Sequence, residues 1–265
     1  MTKVMSELSI LTVNFHNTFE ILLNHNLTEL QNKESKIKID WLICDNTYDC
    51  DPIKGTENSN ISIFKGISKL NKLQRSIHHG SALNILRDKT CSEFILILDP
   101  DFFVLSNNWI HKCITFARNN DLTFIGSPWH PLGPKGIKWF DFPNCHFLLI
   151  NTNKVKLNNL DFTPAYDEFK EDIKVKSRDT GYRIRQKYLN DPDIKFRLFN
   201  PKETPENFIN KLSDIGFNKE FSKYSEYYEF ENILKGFHLR RTISSFHLVK
   251  LNETKKLLNL LIKNS

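Results

Sequence analysis

Short apolar runs alternate with helical periodicities along the first part of the chain. Residues 8–13 are an apolar run ending at Asn14, and within 19–30 Leu22, Leu23, Leu27 and Leu30 recur on related faces of a helix. A second strand is expected over 37–44, ending in Asp45 and Asn46. A turn-rich stretch covers 47–60 and a third short strand 61–64. Residues 78–84, which include His78, His79, Gly80 and Asn84, read as a loop feeding a helix. The five apolar residues at 94–98 are too few for a typical helix, rich in branched side chains and followed by Pro100, so they predict a strand buried on both faces.

The second half predicts a helix over 109–119, strands over 122–126 and 145–150, and a helix over 179–189. A loop over 127–143 carries Trp129, Trp139, Phe140 and Phe142 among prolines and glycines. Residues 200–235 are charged and aromatic without a clear period and read as a flap or lid. Residues 251–262 predict a basic amphipathic helix, whose apolar face would dock on the core or lie on a membrane surface. The order β, α, β, β, α, β at the start predicts an α/β domain.

Composition narrows the function. The chain has 265 residues, 40% of them hydrophobic, which suits one α/β domain and is too apolar for disorder. The net charge of +6 is dispersed and forms no Lys/Arg block, so phosphate-bearing ligands are compatible and nucleic-acid binding is not expected. The 5 cysteines form no C-x-x-C pair, and their odd number describes no closed disulfide framework. Together with an N-terminal stretch lacking a long apolar core and no span apolar enough to cross a bilayer, this leads to the expectation of a cytoplasmic protein. The basic C-terminal helix is a candidate for peripheral contact with the inner face of a membrane.

The candidate chemistry starts where the strand at 94–98 stops. Ligands of open α/β sheets bind outside the carboxyl ends of strands, and Asp99 and Asp101 emerge there on either side of Pro100, which cannot continue a central ladder. Two hard oxygen ligands so close suit Mg²⁺ or Mn²⁺, with phosphate oxygens completing the shell.

The order of these pieces resembles the GT-A fold glycosyltransferases, and among them the family 2 inverting, nucleotide-sugar-dependent enzymes. The resemblance covers roughly residues 6–190, with a weaker match near 236–247. The first strand with Asn14 is similar to the family's opening strand, Ile43-Cys44-Asp45-Asn46-Thr47 to its second-strand ending, Gly80 with Asn84 to its G-x-x-x-N helix start, and Asp99-Pro100-Asp101 to its D-x-D motif. It implies a GT-A, Rossmann-like single catalytic domain over 1–265, an α/β fold with a mixed, mainly parallel sheet flanked by helices. About 1–105 would bind the nucleotide sugar, about 106–250 would hold acceptor and catalyst, and 251–265 would form the C-terminal helix.

It also implies roles. Asn14, Asp45, Gly80, Asn84 and Asp99 would line the donor site, with Asp45 meeting the base and favouring a UDP-sugar. Asp99, Asp101 and His238 would hold Mn²⁺ or Mg²⁺, with His247 the competitor of His238, and Arg240 or Arg241 would contact the diphosphate. Asp179 matches the catalytic base ahead of an Arg-bearing helix, although Arg178 stands where the family has Glu; Asp172, in a literal Glu171-Asp172 pair, is the alternative. Trp129 and Trp139 are candidate platforms for an acceptor sugar, with His146 a candidate hydrogen-bond partner. The acceptor would be a glycan or lipid-linked glycan.

Competing readings differ in sequence. A nucleotidyltransferase would carry a Gly-rich loop after the first strand, and residues 11–17 contain no glycine. The 9 histidines form no spaced ligand pair of the kind metal hydrolases use. A non-catalytic nucleotide-sugar or glycan-binding protein on a degenerate GT-A fold remains the alternative from a different class.

Overall fold

A computed structural model describes residues 6–47, 60–66, 75–131, 139–164, 166–167, 176–177, 179–218, 225–239 and 247–264. Its centre is a seven-stranded sheet made of β1 (Leu8–Asn14), β2 (Ile39–Asp45), β3 (Ile61–Lys65), β4 (Phe94–Leu98), β6 (Phe124–Gly126), β7 (Phe147–Asn151) and β10 (Phe196–Leu198), in the order β10-β6-β7-β4-β1-β2-β3. β1 to β4 run parallel, and β7 enters antiparallel between β4 and β6. This is the mixed, mainly parallel sheet expected of a GT-A architecture.

The apolar runs lack polar alternation because a helix covers each face. Leu8 and Ile10 of β1, with Phe94, Leu96 and Leu98 of β4, pack with α3 (Trp109–Asn119) through Ile110, Cys113 and Ile114. Leu11, Val13, Ile95 and Ile97 point the other way and pack with α2 (Arg75–Arg87) through Ala82, Leu83 and Leu86. Successive strand residues thus feed opposite cores.

A smaller antiparallel sheet has the order β11-β12-β13-β5, from β11 (Asn200–Lys202), β12 (Ser225–Phe230), β13 (Leu234–Leu239) and β5 (Phe102–Val104). Much of the segment expected as a flap or lid is therefore ordered as β11, α5 (Glu206–Asp214) and β12. Tyr228 and Phe230 of β12 are spaced by two, but the run Ser225-Glu226-Tyr227-Tyr228-Glu229 mixes carboxylates with tyrosines in a way that resembles a polar loop.

Another difference concerns α2. His78, His79, Gly80 and Asn84 lie inside this helix and not in a loop ahead of it. Gly80 is required there by packing: a Cβ on it would sit 2.4 Å from the Phe162 carbonyl oxygen.

The remaining elements are α1 (Thr18–Gln31), the two-residue strands β8 (Tyr166–Asp167) and β9 (Lys176–Ser177), α4 (Tyr182–Tyr188) and α6 (His247–Asn264). Leu257, Leu260 and Leu261 of α6 are buried with Leu23 and Leu27 of α1, Leu212 of α5 and Phe237 of β13. The amphipathic face is docked on protein, and among the described residues no helix is long and apolar enough to cross a membrane. Leu257→Ala should cost about 2–5 kcal/mol of stability, read as a lowered urea midpoint. An unchanged midpoint would mean that the docking contributes little.

Candidate metal centre and active-site cleft

The Asp99-Pro100-Asp101 turn is held by the carbonyl oxygens of all three of its residues. The Asp99 carbonyl accepts from the Phe102 amide at 3.0 Å and the Asp101 carbonyl from the Leu239 amide of β13 at 2.9 Å. The Pro100 carbonyl accepts from the Asn24 side-chain amide of α1 at 2.8 Å. The Asp99 amide in turn donates to the His146 carbonyl at 2.9 Å, which carries the β4–β7 ladder one residue further. Backbone satisfaction of this kind fixes where the two carboxylates leave the chain.

Four ionisable side chains converge there. Asp99, His146 and His238 each place a ligand atom within 4.8 Å of the others. His238 Nε2 lies 3.4 Å from Asp101 Oδ1, and the two imidazole rings lie tilted at 41° with centroids 4.3 Å apart. Two carboxylates and two imidazoles are a donor set that fits a divalent cation of mixed oxygen and nitrogen preference. The structure places Asp99, Asp101 and His238 close together. It adds His146, expected on the acceptor side, to the same cluster. The signal for His146 was its place just before a strand that returns beside β4.

The two imidazoles sit in opposite fields. Burial works against protonation of His238, but hydrogen bonds to Asp101 and Glu226 overcome it and raise its pKa to about 10. His146 is lowered to about 3 by burial and then by the charge of His238. In chelator-treated protein, His238 contributes stability fully below its ordinary 6.5 and loses that contribution as pH rises toward 10. His146 acts in the other direction, since its reluctance to charge costs stability as pH falls from 6.5 toward 3. Urea titrations with EDTA should therefore find these two groups most favourable near pH ~6.5. Higher stability at pH ~9 than at ~6.5 would contradict this assignment.

Asp179 precedes α4, whose start uses Gly181 at φ +82°, a left-handed conformation that suits glycine. Asp179 Oδ1 accepts from Ser76 Oγ and from the Thr180 amide, both at 2.9 Å. α4 is braced by Arg185, which forms a two-pronged pair with Asp141 at 2.7 and 2.5 Å, and by Arg183, bonded to Asp161 at 2.9 Å. His79 lies beside this group with Nε2 3.6 Å from Asp99 Oδ1. Burial lowers its pKa, while Asp179 and then Asp101 act to raise it. Burial, then Asp99 and Asp179, push the Cys145 thiol well above its usual range. The charges of Asp179, Asp99 and Asp101 thus reach one group of side chains, His79, Cys145 and His146. Ser76 and His79 were not assigned roles from the sequence, because only their position on α2 turns them toward this group.

At the neighbouring strand ends, Asn14 and Asp45 are bonded to each other. Asn14 Nδ2 donates to Asp45 Oδ1 at 3.0 Å, which also accepts from the Thr47 amide at 3.0 Å, and Asn14 Oδ1 caps the Asn17 amide at 2.9 Å. Asn14, fully buried, thus holds Asp45 in place. Asn84 serves a different turn, donating to Asp161 Oδ1 at 3.1 Å and accepting from the Phe162 amide at 3.0 Å. With Gly80 against the Phe162 carbonyl, the two residues clamp α2 to the segment leading toward Asp179.

Trp129 and Trp139 are only 6% and 5% exposed and belong to the core, so neither indole offers an open platform, and Phe140 is the ring that reaches solvent. Trp129 meets the His146 ring edge-on at 4.4 Å and Trp139 lies against Tyr182 at 5.7 Å, so the two indoles link His146 to α4. Asp172, Arg240 and Arg241 lie outside the described residues, as does the side chain of His247.

No protein-family model matches the chain, and no curated protein matches it in sequence. Solved structures share part of the fold. S. aureus TarS in complex with UDP-GlcNAc aligns over 59% of this chain and 48% of its own at 12% identity and TM-score 0.39. The mannosyltransferase PcManGT from Pyrobaculum calidifontis, in complex with GDP-Man and Mn²⁺, aligns over 80% and 62% at 9% identity and TM-score 0.44. The catalytic domain of Drosophila beta1,4galactosyltransferase 7 in complex with xylobiose aligns over 73% and 65% at 10% identity and TM-score 0.42. The chain thus spans between about half and two thirds of the length of these structures.

Proposed function

We propose that this chain is a metal-dependent glycosyltransferase that moves a sugar from a nucleoside-diphosphate sugar, with UDP the favoured nucleotide, to a hydroxyl of a glycan or lipid-linked glycan, with inversion. The observation that supports the reading is the cluster of Asp99, His146 and His238 beyond the end of β4, with Asp101 3.4 Å from His238 and the charge of Asp179 acting on His146 and Cys145. A cation bound by that cluster would neutralise the diphosphate as it leaves. The mixture of imidazole and carboxylate donors favours Mn²⁺ over Mg²⁺, which takes an oxygen shell.

The chain's own residues divide the remaining work. Asp45, held by Asn14 and the Thr47 amide, lies two strands from the cluster, and the reading gives it the nucleoside. Asp179, oriented by Ser76 and the Thr180 amide, accepts the acceptor's proton as the acceptor oxygen bonds to the anomeric carbon and the carbon–oxygen bond to the diphosphate breaks. One base and one in-line displacement give inversion. The buried Trp129, Trp139 and Trp-facing His146 exclude water from one side of the reacting centre.

The test is a thermal-shift series of purified protein with UDP, GDP, CMP and dTDP, each with Mn²⁺, Mg²⁺ or EDTA, followed by assay of nucleotide release from the matching sugar nucleotide. UDP with Mn²⁺ at ~100 times its dissociation constant should add about 2.7 kcal/mol. Failure of every nucleotide to stabilise would sink the reading. Stabilisation without nucleotide release, with any acceptor or with water, would make the chain a binding protein on a degenerate transferase fold.

A further inference from the structure

Behind the cluster is a buried carboxylate that no step of the proposed reaction uses. Strands β12 and β13 pair Glu226 directly opposite His238, and β13 pairs His238 opposite Phe102 of β5. Directly opposed residues point to the same face of a sheet, so the carboxylate, the imidazole and the Phe102 ring lie in a row across three strands. Glu226 Oε2 is 2.8 Å from His238 Nδ1, and Tyr228, two residues along the same face, brings its hydroxyl to 3.1 Å from that oxygen. The Tyr228 hydroxyl also lies 3.3 Å from the Pro128 carbonyl, next to Trp129. Glu226 is 1% exposed, Tyr228 0% and His238 2%.

We infer that Glu226, steadied by Tyr228, is a positioning residue for divalent-cation binding, which orients His238 so that its Nε2 is the atom offered to the metal. An ionised carboxylate only accepts, so a 2.8 Å contact makes Nδ1 the protonated nitrogen. Nε2 faces Asp101 Oδ1 at 3.4 Å, so a cation that takes this nitrogen displaces its proton and leaves Nδ1–H on Glu226. A free imidazole would divide itself between two tautomers and rotate about its side-chain bonds. The Glu226 bond selects one tautomer and one ring orientation, and increases the basicity of the donating nitrogen. A carboxylate buried this deeply costs stability unless its partner is present, and the cross-strand register supplies that partner.

The inference rests on the cation-binding reading of the cluster, and the test separates the two. Mn²⁺ binding is measured without donor or acceptor by counting free ion through its electron paramagnetic resonance signal. Glu226→Gln, nearly isosteric, should raise the Mn²⁺ dissociation constant about 10- to 100-fold while the metal-free variant keeps its native circular dichroism. Tyr228→Phe should have a smaller effect in the same direction. An unchanged dissociation constant in Glu226→Gln overturns the positioning role and leaves the cation site standing. Absence of Mn²⁺ binding by the unsubstituted protein overturns the cation site itself. Should Glu226→Gln fail to fold, the unsubstituted protein loaded with diamagnetic Zn²⁺ decides the matter by histidine ring ¹⁵N shifts. His238 should show a protonated Nδ1 and a metal-bound Nε2, and metal on Nδ1 would refute the inference.

Discussion

Asp179→Asn is expected to lower the rate of sugar transfer by about 10²- to 10⁴-fold, equivalent to ~2.7–5.5 kcal/mol of transition-state stabilisation, with donor affinity unchanged. The substitution is selective because the amide oxygen of Asn can still accept the bonds that Ser76 Oγ and the Thr180 amide make to Oδ1. Geometry survives and the capacity to take a proton does not. The check is kcat for transfer beside donor binding by calorimetry, with Mn²⁺ saturating. Should Asp179→Asn retain transfer while Asp172→Asn loses it, the base is Asp172. Loss of both transfer and donor binding in Asp179→Asn would place Asp179 in the donor site.

The second large effect is expected from His238→Ala. His238 stands between Asp101 at 3.4 Å and Glu226 at 2.8 Å, and all three are largely removed from solvent. Deleting the imidazole leaves two buried carboxylates facing a void, and breaking a buried pair in this way typically costs ~3–5 kcal/mol. Metal-free His238→Ala should therefore unfold at clearly lower urea than the parent protein. It should also lose the stabilisation that Mn²⁺ gives the parent, about 2.7 kcal/mol at ~100 times the dissociation constant. A variant with the parent's midpoint would show that the pairing contributes nothing net. A variant still stabilised by Mn²⁺ would move the cation to Asp99, Asp101 and His146.

Much of the framework was legible because it is encoded locally. The runs at 8–13, 61–64 and 94–98 became β1, β3 and β4, the helix expected over 109–119 is α3, and both carboxylates appear where β4 stops. Local signals failed at β12, where Ser225-Glu226-Tyr227-Tyr228 reads as polar although all four residues are buried. They also failed at α2, where Gly80 interrupts a helical pattern for a reason that lies at Phe162. The basic C-terminal helix illustrates a third limit. Its amphipathic pattern is the same for a membrane surface and for a protein groove, and only the facing Leu23, Leu27 and Leu212 select the groove.

By itself, the sequence determined where the strands end and that two carboxylates leave β4 around a proline, because periodicity and the chemistry of Pro100 act over a few residues. Tertiary structure alone decided the partners of those carboxylates. His146 arrives through the antiparallel β4–β7 register and His238 through the β13–β5 register. Glu226 arrives one strand further, and Asp179 just ahead of α4, held by Ser76 of α2. These residues are tens to more than a hundred positions from the acidic turn, and register, which depends on which faces the two cores bury, is the physical quantity that brings them to it.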